Sequence, residues 1–194
     1  MRFRGPRRAA GAPVGPDAVR RAVLDAAAML FAEKGVAATT RRDIAAAAGV
    51  DPNLINRYIG PSDAVVTAVL DDLAEQLAEE LTGGQLTAAS HDPDSVIVRW
   101  VRIMAEVAGR ADRRVSVDRW NPVTAVAGVI EANTSLEGTA VRVRAAQVTA
   151  LAFGWRLVEG YLVEAGQLDE VPLATLRDEL NRANRFLMTR PDER

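Results

Sequence analysis

Cysteine is absent from this chain, and histidine occurs once, at His91. The first absence excludes disulfides and thiol chemistry and fits a reducing compartment, so a cytoplasmic protein is expected. The second excludes a histidine-ligated metal site and a Ser-His-Asp triad. No apolar run approaches the ~20 residues of a membrane span. The opening stretch MRFRGPRRAAGAPVGP has basic residues but no apolar run behind them, which excludes a secretory leader and predicts a disordered basic arm over residues 1–16. No segment alternates apolar and polar residues as a strand does, and no Gly-rich phosphate cradle or metal-ligand cluster is present. These absences leave no catalytic residue, metal or cofactor to name, and they count against a small helical enzyme.

What is there is an ordinary globular composition, with 48% of the 194 residues apolar and 26% charged, enough for one sizeable core or two lobes sharing a helix. Charge is unevenly placed. Residues 1–58 carry ten Lys and Arg against five Asp and Glu, whereas the remainder carries fourteen against twenty-one. A basic front joined to an acidic body suits a chain whose N-terminal part alone meets a polyanion.

The fold class expected is all-α. Val19, Val23, Ala26, Ala27, Leu30 and Phe31 recur at helical spacing, and Lys34-Gly35 closes that helix. Val65, Val69, Leu73, Leu77 and Leu81 mark a longer helix after Gly60-Pro61, broken at Thr82-Gly83-Gly84. Asp92-Pro93 opens a helix carrying Val96, Ile97, Trp100, Val101 and Met104, and Asn121-Pro122 starts another through Val123, Val126 and Ile130. Residues 138–166 hold a long helix with two adjacent apolar stripes, an arc too wide for a surface helix with one neighbour. Pro172 begins the last helix, whose seam at Leu173, Leu176, Leu180, Ala183 and Leu187 faces either the protein's own core or a second copy.

The most informative stretch is residues 39–63, TTRRDIAAAAGVDPNLINRYIGPSD, which reads as two short helices hinged at one glycine. Thr40 is an N-cap with Asp43 as its capping-box partner. Ile44, Ala47 and Ala48 form an apolar face, Gly49 supplies a left-handed stop, and Val50 plugs the corner. Asp51-Pro52 restarts the chain, and Ile55 and Ile59 face inward, leaving Asn53, Asn56, Arg57 and Tyr58 outward. This describes a helix-turn-helix built for a major groove.

With the preceding LFAEKGVAATT, the DIAAAAGV signature and the short helix after it, the chain resembles the tetracycline-repressor (TetR) family of bacterial transcription regulators. The resemblance is close over residues 20–69 and rests on helix content beyond. It implies a helix-turn-helix DNA-binding domain over residues 17–62 and a helical ligand-binding and dimerisation domain over 63–194. It also implies a repressor that binds a near-palindromic double-stranded operator as a homodimer and responds to a small hydrophobic effector. The departures are Asn53 where the family often has glycine, Asn56 for tyrosine, Tyr58 for histidine, Ile59 for phenylalanine and Ser62 for lysine. Loss of two habitual phosphate contacts keeps alive a rival reading, a helical dimer that has lost specific DNA binding and serves as an interaction protein.

The DNA-contacting residues expected are Thr40, Arg41, Arg42, Pro52, Asn53, Leu54, Asn56, Arg57 and Tyr58. Asn53 or Asn56 suits adenine, Arg57 guanine and Leu54 a thymine methyl, while the bland alternative for each is a cap or a backbone contact. For the effector, the resemblance implies a pocket among Trp100, Met104, Trp120, Gln147, Leu151 and Trp155, with Phe153, Asn121 and Thr124 nearby. Arg142, Arg144, Arg156 and Glu159 are read instead as surface or interface pairs. Val148, Leu162, Leu176, Leu180, Ala183 and Leu187 are expected at the dimer interface.

Overall fold

The computed structural model describes residues 13–82, 95–109 and 121–190, and among these the helical periodicities become eight α-helices, with no strand. His91, the Asp92-Pro93 helix start, Trp120 and residues 1–12 of the expected arm lie outside the described residues. The chain divides into two compact units, Met1–Asp72 with Ile103–Val115, and Leu73–Arg102 with Ser116–Arg194. A boundary after residue 62 is what the sequence suggests; the first unit runs ten residues further, to Asp72, and adds a second, distant segment.

In the first unit α1 (Pro16–Lys34), α2 (Arg41–Ala48) and α3 (Pro52–Tyr58) pack pairwise against one another. Val19, Val23, Ala27 and Phe31 turn one face of α1 inward, while Ile44, Ala45 and Ala48 do so for α2. Ala47, expected on that face, is exposed and Ala45 takes its place. A single fully buried residue, Ile55, anchors α3. On a seven-residue helix that side chain supplies most of the burial, about 1.5–3 kcal/mol. α4 (Ser62–Thr82) contributes Val65, Val66 and Val69 here, and α5 (Val96–Ala108) contributes Ile103 and Val107. Arg21 of α1 pairs with Asp25 at 2.7 Å and with Asp72 of α4 at 2.8 Å.

In the second unit α6 (Pro122–Asn133), α7 (Thr139–Ala165) and α8 (Leu173–Thr189) also pack pairwise. Ile130, Leu136, Val141 and Ala145 make its buried cluster, with Val123, Val126 and Met188 against it. Asn121 caps α6 as its sequence suggests, its Oδ1 accepting the Thr124 N–H at 2.8 Å. α7 ends at Ala165, with Gly166 as its C-cap. Gly166 keeps right-handed geometry and Gln167 takes the left-handed turn at φ 54°. No helix among the described residues is long and apolar enough to cross a membrane.

Candidate nucleic-acid interface

Three local devices fix the helix-turn-helix. At the start of α2 the Thr40 hydroxyl accepts the Asp43 N–H at 3.2 Å, and the Asp43 carboxylate accepts the Thr40 N–H at 2.9 Å and its hydroxyl at 2.6 Å. The Thr40 hydroxyl, then its N–H, holds the Asp43 carboxyl below the usual carboxylate range. At the end of α2 Gly49 adopts φ 66°, ψ 32°, letting its N–H reach Ala46 O at 3.3 Å and the Val50 N–H reach Ala45 O at 3.0 Å. That crossed pair satisfies carbonyls the helix would otherwise orphan, and only a left-handed residue closes it. The Asp51 carboxylate then caps α3, accepting the Asn53 N–H at 2.8 Å, with Pro52 in the first turn.

A fourth tie comes from far along the chain. The Glu106 carboxylate of α5 accepts the backbone N–H groups of Val36 and Ala37, at 2.6 and 2.8 Å, in the loop between α1 and α2. Gly35 makes room for it, because a Cβ there would stand 2.9 Å from Glu106 Oε2. Sequence reasoning passed over Glu106; its one signal is an acid within the largely apolar segment VIVRWVRIMAEVA.

Of the residues expected outward, Asn53, Asn56 and Arg57 are exposed, whereas Tyr58 is half-buried. Pro52 is also exposed and Leu54 half-buried. The Arg57 guanidinium lies over the Tyr58 ring, 5.5 Å from its centroid, which holds a flexible cation on the face of α3. At the head of α2 Thr40 and Arg42 are exposed, but Arg41 is half-buried and donates to Ser62 Oγ at 3.4 Å. It walls a pocket of about 220 Å³ with Phe31, Thr39 and Val65. The arrangement offers two amides and a guanidinium on one short exposed helix, the donor and acceptor set that reads base edges in a major groove.

The second unit holds a cavity of about 250 Å³. Its wall includes Leu77 of α4, Ile97 of α5, Val126 of α6, Val148, Thr149, Phe153 and Arg156 of α7, and Asn184 of α8. Of the residues expected to bind a ligand, Trp100, Met104, Gln147, Leu151 and Trp155 do not line it, and Trp120 lies outside the described residues. Trp100 is core, buried with its ring 5.5 Å from that of Phe153. Met104 falls in the first unit, Gln147 and Leu151 are exposed, and Trp155 donates to Glu159 at 2.8 Å. The reason is angular. The cavity takes residues 148, 149, 152, 153 and 156 of α7, and 147, 151 and 155 lie one flank over. Arg156, read as a surface or interface pair, belongs to the wall instead, and burial pushes its pKa down.

The expected interface residues also divide. Val148 and Leu180 are buried within the second unit and serve its interior rather than a surface. Leu162, Leu176 and Leu187 are half-buried and Ala183 is exposed. The exposed large apolar side chains on these two helices are Val143, Leu151, Leu157, Val158 and Tyr161 of α7 with Leu173 and Phe186 of α8.

Comparison with known proteins agrees with this geometry. The family model described as bacterial regulatory proteins, tetR family, matches residues 23–60. The chain is 35% identical over 175 residues to the HTH-type transcriptional repressor Rv3405c of Mycobacterium tuberculosis, covering 88% of this chain and 89% of that one. It is 33% identical over 78 residues to the HTH-type transcriptional regulator BetI of Rhizobium meliloti, covering 40% of this chain and 38% of that one. A crystal structure of a TetR-family regulator from Streptomyces coelicolor A3 aligns with 95% of this chain and 99% of its own, at 26% identity and a TM-score of 0.44. A matching family model over the helix-turn-helix, and a relative 35% identical over 88% of the chain, join the capped two-helix geometry in one conclusion: the chain belongs to the TetR family of bacterial transcriptional regulators.

Proposed function

We propose that this regulator is a ligand-responsive repressor, acting in the cytoplasm as a homodimer on a near-palindromic operator. The observation that carries the reading is the exposed Asn53-Asn56-Arg57 face of α3, held between the Gly49 turn and the Asp51 cap. Two such helices related by a two-fold axis enter successive major grooves, so the palindrome mirrors the dimer. A relative similar along nearly the whole chain is named a transcriptional repressor, which favours repression as the sign of control. The exposed apolar side chains of α7 and α8 supply a surface for the second copy. The cavity of the second unit supplies a place for an effector, which acts by binding one state of the dimer better than the other.

Selection of bound sequences from a random DNA library tests the DNA reading: a palindrome should be enriched, and a library with no enriched motif overturns it. Sedimentation at micromolar concentration tests assembly, a monomer being the contrary result.

A further inference from the structure

Two uncharged polar side chains, Thr149 of α7 and Asn184 of α8, stand in the mostly apolar wall of the second unit's cavity. They are 8% and 4% exposed, and neither Thr149 Oγ1 nor Asn184 Oδ1 has a hydrogen-bond partner among the described residues. α7 and α8 thus bring the two to one cavity without joining them. Thr149 also forgoes the bond that a threonine commonly makes to its own helix. Thr67, Thr134 and Thr189 donate to the carbonyl one turn back, at 3.1, 2.9 and 3.0 Å, whereas Thr149 makes no such bond to Ala145 O. Buried polar atoms are left in this state where a ligand or ordered water completes them.

Hydrogen-bond chemistry decides which ligand group fits. Arg156, the charged member of the wall, is already engaged: Nη1 donates to Ala152 O at 2.8 Å, and the Glu159 carboxylate acts on its charge. The open positions on Thr149 and Asn184 are neutral. Asn184 Oδ1 only accepts, so it calls for a hydrogen, while the Thr149 hydroxyl both donates and accepts. One ligand hydroxyl answers both, giving its hydrogen to Asn184 Oδ1 as its oxygen accepts from Thr149. An ether or ketone oxygen has no hydrogen for Asn184, and a carboxylate sets another oxygen lone pair against it.

The cavity, about 250 Å³, lies just below the ~300–1,000 Å³ range of ligand pockets. Its apolar wall, Leu77, Ile97, Val126 and Phe153 among it, suits a short hydrocarbon chain or a single ring.

We propose that the effector is a small neutral alcohol or phenol, its apolar body against that wall and its hydroxyl bridging Thr149 Oγ1 and Asn184 Oδ1. This rests on the reading of the cavity as the effector site and names the chemistry that site selects.

Octan-1-ol and its isomer 1-methoxyheptane contain the same atoms, and only the alcohol donates a hydrogen bond; octanoate carries a charge in place of that hydrogen. Titrated calorimetrically into the full-length protein, octan-1-ol should bind at least about fivefold more tightly than either. Asn184→Leu, which removes the acceptor and fills similar space, should bring the alcohol and the ether within about twofold of each other. Wild-type protein that binds the ether or octanoate as well as the alcohol, or binds none of the three, overturns the hydroxyl assignment without any variant having to fold. A thermal melt without ligand tests the site itself. Thr149→Val keeps the shape and removes an oxygen that bonds nothing, so its Tm should be no lower than that of wild type; a fall of several degrees means the hydroxyl has a partner and overturns the site. Operator affinity measured in parallel separates the two ideas: octan-1-ol that binds through Asn184 yet leaves the operator occupied removes the effector role and keeps the head-group chemistry.

Discussion

Gly49 gives the sharpest quantitative test of the helix-turn-helix. It sits at φ 66° and ψ 32°, and a Cβ placed there meets nothing within 4 Å. Replacement therefore costs backbone strain without a clash. For Gly49→Ala the left-handed conformation costs about 1–2 kcal/mol. The lower entropy of the unfolded alanine chain offsets about 0.4–1 kcal/mol of this, for a net loss of ~1 kcal/mol. A β-branched residue is a worse occupant of that region, so Gly49→Val should lose roughly twice as much. For a chain of this size each 1 kcal/mol lowers Tm by about 2–4 °C, so thermal melts should rank Gly, Ala, Val in descending order. DNA affinity should fall further than stability does. α2 and α3 are joined through the torsions of this turn, and relief of strain by a shift to negative φ swings α3 off its bearing. Fluorescence anisotropy with a selected operator should register a loss of at least about tenfold for Gly49→Val. A Gly49→Val protein with unchanged Tm and full operator affinity would refute the reasoning, because it would mean that the residue is not left-handed in the bound protein.

Asp43, whose folded pKa is depressed by the Thr40 hydroxyl and N–H, contributes stability that is present above its unfolded pKa and lost as pH falls through the folded one. Acid should therefore loosen the start of α2, and Thr40→Ala should raise the Asp43 pKa; an NMR titration of that carboxyl that is identical in the two proteins contradicts the capping box. Arg57→Ala should cost roughly 1–3 kcal/mol at the best operator and relax choice at one base, whereas Arg42→Ala should weaken all sequences alike and flatten the salt slope by about one. Competition binding on mutated operators separates these outcomes, and equal losses on every sequence for Arg57→Ala would assign it to phosphate. Glu106→Ala should cost about 1–3 kcal/mol and speed hydrogen exchange at the Val36 and Ala37 amides; unchanged exchange there would remove the tie.

Local physics explains what the sequence could reveal. The capping box, the Gly49 turn, the Asp51 and Asn121 caps and the 138–166 helix are written in residues three or four apart, and each stands within a residue or so of its expected place. The outward set on α3 was legible because a helix seven residues long with one inward isoleucine leaves few choices of face. What was not legible depends on rotation and distance. α7 carries apolar residues over so wide an arc that periodicity cannot say which flank borders a cavity: Val148, expected at an interface, lines the cavity, and Leu151, expected in the pocket, is exposed. Arg156 read as a surface charge because its neighbours on α7 suggested a local pair; the apolar wall across from it comes from α4, α5 and α6. Glu106 had no local grammar at all, since the amides it satisfies lie 70 and 69 residues away.

That separation has a kinetic meaning. Closing a loop of 70 residues costs about 4 kcal/mol of chain entropy when nothing else holds the ends together, more than the ~1–3 kcal/mol expected of the tie itself. The Glu106 tie is therefore expected to close late, after the contacts among α1, α2 and α3, so that Glu106→Ala should speed unfolding and leave the refolding rate unchanged. Interactions of that kind leave the folding rate alone and slow unfolding. On this expectation the lifetime of the folded first unit depends in part on a side chain far outside residues 23–60, the stretch that marks the family. Two regulators with the same helix-turn-helix can then differ in how long it stays intact, through one acid on a later helix.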